Sequence, residues 1–204
     1  MSTLYSMTTH MEESVSATRT SVKLGWFLIK FSIAALFIVL PIRFFVAQPF
    51  LVSGPSMTPT FEEGDYLVID KLWYRVHTPQ RGDVIIMRYP LDPSIYFVKR
   101  VIGLPGETVS VQNEVVTVLA ADGASEVLRE PYIYTRGKPQ NSVTTLAKDE
   151  FFVLGDNRDQ SSDSREWGPL QAKFIVGRAF ARVFPLNKAE LLPGQYRFSA
   201  SIPQ

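Results

Sequence analysis

The chain has 204 residues, 46% of them hydrophobic and 20% charged, with 21 Lys and Arg against 20 Asp and Glu. That balance excludes a whole-chain nucleic-acid footprint, which needs a basic excess, and the apolar content excludes a largely disordered chain. There is no cysteine, so disulfides, thiol nucleophiles and cysteine-bound metals are excluded, and the only histidines, His10 and His77, leave few places for a metal centre or a Ser/His/Asp triad. Hydrolytic chemistry in this chain needs another base.

Residues 1–23 are polar and rich in Ser and Thr, without an apolar period, and read as a flexible tail. Residues 24–47 read as a membrane anchor. The run WFLIKFSIAALFIVLPIRFFVA spans about 33 Å as a helix, enough for a bilayer core. Lys30 and Arg43 sit near its ends, where long stems reach the interface, and Pro41 is tolerable there. The uncharged stretch 31–42 alone suits a signal-peptide core or a buried helix. However, VAQPF is a poor small-x-small cleavage site, and the segment lacks a polar face. Arg19, Lys23 and Lys30 precede or enter the run, and after Arg43 the next basic residue is Lys71. That asymmetry places the N-terminus in the cytoplasm and the body outside, on a single-pass plasma-membrane protein.

Residues 48–204 are long enough for one domain, and the pattern is all-β. Strands are expected at 66–70, 83–89, 96–103, 108–119, 151–155 and 174–184, where β-branched and aromatic residues run between Gly, Pro, Asn and Asp. No strong helix pattern follows residue 50. A small excursion from the main sheet is expected at about 112–148, where ADGASE and RGKPQNS are polar and turn-rich. His77, in RVHTP, reads as an exposed turn residue.

Three segments carry possible chemistry. In SGPSMTPT (53–60), Gly and Pro fix a tight turn that presents the Ser56 hydroxyl and free backbone N–H groups; a plain linker is the bland alternative. In YFVKRVIGLPGE (96–107), strand alternation puts Phe97, Lys99 and Val101 on one face, with Val98, Arg100 and Ile102 on the other. One of two adjacent cations must then point inward or along the sheet, unless both guard an edge strand. A desolvated lysine loses affinity for its proton and serves as a general base, and Ser56 is a nucleophile that needs one. In GDNRDQSSDSR (155–165), interleaved Asp and Arg form either a solvated loop or ion pairs that lock a loop beside a site. A calcium loop fits poorly, since the glycine and terminal Glu spacing are missing.

Taken in order, RFFVAQPF, SGPSMTPT, RGDVIIM, YFVKRVIGLPGE and GDNRDQSSDSR resemble the type I signal peptidases, membrane-anchored Ser/Lys endopeptidases, over most of residues 25–184. The resemblance implies a mostly antiparallel β body on one transmembrane helix. It implies Ser56 as nucleophile, Lys99 as general base, Ser161 as the serine near the base, and Asp163 with Arg165 as a structural ion pair. Some members carry a serine two residues before the nucleophile that helps bind the oxyanion. Here that position is Gly54, as in single-anchor members, so the oxyanion falls to backbone N–H groups including that of Ser56. The substrates implied are preprotein signal peptides cut after small-x-small (Ala-x-Ala) sites. Their extended chain pairs with strand edges, Tyr96, Phe97 and Val98 among them. The lipid bilayer is a partner, and nucleic acid, metal and cofactor are not expected. Two other readings remain: a Ser/Lys processing peptidase with one dedicated substrate, and an inactive membrane-anchored peptide-binding module.

Overall fold

The computed structural model describes residues 26–37, 47–133 and 141–198, in two compact units divided between Phe45 and Val46. In the first unit, residues 26–37 form a helix (α1) with exposed apolar side chains from Trp26 to Phe37. The rest of the expected anchor lies outside the described residues. Among those described, no helix is long and apolar enough to cross a membrane.

The second unit is antiparallel throughout its ladders. Strands β1 (Ala47–Leu51), β2 (Tyr66–Asp70), β3 (Val84–Tyr89), β4 (Asp92–Gly103), β5 (Thr108–Gln112), β6 (Val115–Leu119), β7 (Ser125–Val127), β8 (Ser142–Thr145), β9 (Glu150–Leu154), β10 (Leu170–Gln171), β11 (Ile175–Phe184) and β12 (Glu190–Leu191) follow in chain order. An eight-stranded sheet runs β1-β2-β11-β3-β4-β9-β10, with β12 paired to β11. A four-stranded sheet runs β7-β6-β5-β8. The helix-poor reading of the body is close to the structure. Two single-turn helices, α2 (Trp73–Val76) and α3 (Ser164–Trp167), were not anticipated, because one turn carries no period to detect.

The sequence explains the strand placement. VIIMR in β3 is buried on both faces at Val84–Met87, as a central strand requires. The expected run 108–119 is a hairpin, β5 and β6, whose two turn residues Asn113 and Glu114 have φ of 47° and 69°. Left-handed residues at both turn positions match the strand twist, and Asn tolerates that conformation. With β7 and β8 this hairpin makes the second sheet, so the departure from the main sheet begins at Thr108, earlier than 112. Ala47, read as the end of the anchor, is instead the first residue of β1, opposite Asp70.

Three apolar clusters hold the unit. One gathers Val52, Met57, Phe61, Leu67, Ile69, Val84, Ile86, Val98 and Ala179. A second joins Ile102 of β4 to the small sheet and to Phe152 and Leu154 of β9. A third packs Ile85, Met87, Val101 and Phe151 against Leu170. Strand β4 contributes to each of them. Its first residues are exposed and pair only with β3, while from Arg100 onward it also pairs with β9.

Candidate active site

The turn 53–60 is fixed from below. Met57 and Phe61 are fully buried in the first cluster, and the Phe61 N–H donates to the Met57 carbonyl at 2.9 Å. Ser56 therefore sits on a rigid loop, half-buried, with its carbonyl accepting the Asn157 N–H at 3.0 Å. The linker reading of this segment is overturned by that anchoring. Gly54 has φ +86°, where a side chain is strained, and it offers no side-chain donor.

The edge-strand reading of Lys99 and Arg100 is overturned too. Both side chains are 1% exposed. Lys99 lies opposite Ile85 of β3, and Arg100 lies between Val84 of β3 and Leu154 of β9, so alternation sends the two cations into different parts of the interior. The Lys99 Nζ donates to Ser56 Oγ at 2.9 Å and lies over the Phe97 ring at 4.9 Å. Burial pushes the Lys99 pKa down from 10.5 to about 8. The carboxylates of Asp163, Asp156 and Glu166 oppose that shift and Arg165 reinforces it. A lysine in that state loses its proton near neutral pH and can take one from a hydroxyl it already touches.

Arg100 is a residue the sequence reading left undecided. Its guanidinium grips Asp156 with both arms, Nε to Oδ1 at 2.8 Å and Nη2 to Oδ2 at 2.6 Å. It also donates to the carbonyls of Gly82 and Gly194 and lies 3.9 Å from the centre of the Tyr132 ring. Asp156 takes a further bond from Thr60 Oγ1 at 2.5 Å. One buried carboxylate thus ties together the serine turn, the lysine strand and the loop 155–165. The presence of Asp156 in that loop was the only sequence signal for this node.

The loop itself is closed, not solvated. Asp163 caps α3, accepts the Gly155 N–H at 3.1 Å, and holds Arg165 through two bonds of 2.8 Å. Ser164 Oγ accepts the Val153 N–H at 3.0 Å. Arg158 pairs with Glu130 and donates to the Gly155 carbonyl. Ser161 is buried, and its hydroxyl has no hydrogen-bond partner among the described residues. It packs against Gly155 so closely that a Cβ there would collide with both Ser161 and the Ser56 carbonyl. The bare Cα of Gly155 is what lets this loop approach the serine turn.

Beside Ser56 lies a cavity of about 70 Å³ between β1 and β4, lined by Phe50, Val52, Met57, Tyr96 and Val98 among others. Tyr96 and Phe50 meet edge-on across it at 6.0 Å. Among the described residues, strand β1 pairs only with β2, and Tyr96–Val98 pair only with β3, so each strand keeps one open edge here. Two larger hollows, about 340 Å³ beside β6 and about 420 Å³ beside Trp73 and Phe180, are lined by neither Ser56 nor Lys99. His77 is exposed and stacks on Trp73 at 3.7 Å, away from these groups. Among the described residues, no cluster of three His, Asp or Glu is placed to hold a metal ion.

The chain is similar to known proteins along most of its length. The family described as "Signal peptidase, peptidase S26" matches residues 25–184. A probable signal peptidase I-1 of Synechocystis is 40% identical over 161 residues, covering 76% of this chain and 80% of its own. A signal peptidase I of Leptolyngbya laminosa is 39% identical over 159 residues, covering 74% and 75%. A signal peptidase I of Pseudomonas aeruginosa is 33% identical over 192 residues, covering 72% and 68%. With a family match running from residue 25 to residue 184 and relatives aligned along most of both chains, this chain belongs to the signal peptidase family, peptidase S26.

Proposed function

We propose that the chain removes N-terminal signal peptides from exported preproteins, as a Ser/Lys endopeptidase held at the membrane by residues 24–47. The observation that carries this reading is the 2.9 Å contact between Ser56 Oγ and the buried Lys99 Nζ. No histidine is needed, since burial supplies a lysine that is partly neutral near pH 8.

The extended cleavage region adds a strand at the open edge of Tyr96–Val98, opposite β1. The cavity beside Ser56 accepts a small side chain and rejects a large one by overpacking. Neutral Lys99 takes the Ser56 proton as Oγ attacks the scissile carbonyl. The developing oxyanion is held by backbone N–H groups, that of Ser56 included. Protonated Lys99 then gives its proton to the leaving amine, and the mature protein departs. The signal peptide remains as an ester on Ser56. Water, deprotonated by Lys99, attacks that ester and releases the signal peptide as a carboxylate, restoring Ser56. Asp163 with Arg165 holds the loop whose Ser161 packs beside the serine turn.

The test is cleavage of a purified preprotein bearing an Ala-x-Ala site, in detergent, with the cut mapped by mass spectrometry. A cut after the second Ala that is lost in both Ser56→Ala and Lys99→Ala is expected. A cut that persists in Ser56→Ala would sink the reading.

A further inference from the structure

Beyond residue 184, where the family match ends, the chain turns back over the body as an irregular strap, residues 192–198. The strap is fastened along its length. The Leu192 N–H donates to the Phe180 carbonyl at 2.7 Å, and the Tyr196 N–H to the Gly82 carbonyl at 3.2 Å. Gln195 Nε2 reaches Asp83 at 2.9 Å, and Phe198 packs on the second apolar cluster. Tyr196 and Phe198 close edge-on around the Tyr132 ring that covers Arg100.

Within the strap, Gly194 meets a neighbour of each member of the reactive pair. Its carbonyl accepts from Arg100 Nη1 at 2.5 Å, and Arg100 adjoins Lys99 on β4. Its Cα faces Thr60, on the segment that carries Ser56, so closely that a Cβ would collide with the Thr60 methyl. Gly194 also has φ +69°, which favours glycine. Thr60 and Arg100 are in turn joined through Asp156. The strap therefore packs against Thr60 and Arg100, which Asp156 joins to one another.

We propose that the C-terminal strap is a positioning element for the reaction, in which Gly194 sets the spacing between the serine segment and the lysine strand. The proposal rests on the Ser/Lys reading of the site. Displacing a reacting group by about 1 Å costs roughly 10²-fold in rate, so a wedge at Gly194 acts on the chemical step. It acts on the base as well. Lys99 faces Asp156, Asp163, Glu166 and Arg165, while Arg100 faces Asp156, Tyr132 and Glu130. An Arg100 shifted off Asp156 leaves that carboxylate freer to hold the Lys99 proton.

The test uses the full-length enzyme in detergent and a peptide with an Ala-x-Ala site. Gly194→Ala is expected to lower kcat by about 10²-fold with KM little changed, and to move the acid limb of the pH profile to higher pH. Adding Thr60→Ser, which removes the obstructing methyl and keeps the hydroxyl on Asp156, should recover part of that loss, the backbone strain of an alanine at φ +69° remaining. A strap that only supports the fold would lower the melting temperature and leave kcat per folded enzyme and the acid limb unchanged, which overturns the proposal. Failure of Thr60→Ser to recover any rate overturns the spacing role. If Gly194→Ala does not fold, Gln195→Ala loosens the strap without a wedge and should show a smaller fall in kcat with the same pH displacement; unchanged values there also overturn it. Cleavage by the wild-type enzyme that does not depend on Ser56 overturns the peptidase reading and the proposal with it. Ser56-dependent cleavage with an indifferent Gly194→Ala overturns the strap alone.

Discussion

Lys99, the base of the proposed reaction, shows how burial changes the acidity of an ordinary side chain. Only its neutral form can take the Ser56 proton, and its pKa is lowered from 10.5 to about 8. Below that value the neutral fraction falls tenfold for each pH unit. kcat/KM for a peptide substrate should therefore rise with a slope of one in log units up to about pH 8 and then level. Lys99→Arg should be inactive at every pH tested, because a guanidinium does not deprotonate. An activity plateau extending well below pH 7 would contradict this account of the base. The same shift affects folding. Between pH 8 and 10.5 the unfolded chain holds the lysine proton more tightly than the folded one, so stability rises with pH across that window. None of this was readable from residue type. Adjacent Lys and Arg in a strand suggest a guarded edge as readily as a buried base. The deciding partners lie far along the chain, at Ser56 for one cation and Asp156 for the other.

At the scale of elements, legibility followed length and composition. The runs at 66–70, 84–89, 150–154 and 175–184 are apolar, β-branched and bounded by turn residues, and each is a strand close to its expected limits. Strands β7, β8, β10 and β12 have two to four residues, and the two in the small sheet, β7 and β8, contain no buried residue. They form because a neighbouring strand offers a free ladder, which is tertiary information. Strand β4 has the clearest functional expectation. Among the described residues, Tyr96–Val98 have no strand partner on one side, and the proposed substrate strand would gain backbone hydrogen bonds there, each contributing about 1 kcal/mol net. Methylating the substrate amides that face this edge should raise KM by roughly fivefold per bond with the cut site unchanged. Equal KM for methylated and plain peptides would show that recognition comes from side chains alone.

At the scale of the molecule, the chain divides at the junction of Phe45 and Val46, and the three apolar clusters all belong to the second unit. That unit has its own core, so removing residues 1–45 should leave its denaturant midpoint within experimental error. Its rate on a soluble peptide should change little. Its rate on a preprotein inserted in vesicles should fall at least tenfold, because the membrane anchor proposed at residues 24–47 would raise the effective concentration of a membrane-tethered substrate. Equal loss on both substrates would place the effect in the site and not in tethering. The sequence signalled this division through an abrupt change from apolar run to turn-punctuated strands. It did not signal the strap at 192–198, which has no period and draws its order from Arg100, Gly82 and Asp83.

Strand β4 is one continuous element with an open half and a locked half, and that has a bearing on fidelity. In the proposed reaction, the residues that read the incoming chain, Tyr96–Val98, and the base that activates Ser56, Lys99, are consecutive along the same backbone. A strand advances about 3.3 Å per residue and turns its side chains over at each step. A substrate docked one residue out of place would therefore present a different carbonyl to Ser56 and the wrong side chains to the cavity at the same time. On that reading the cut is measured as a ruler measures, by a fixed count from a fixed mark.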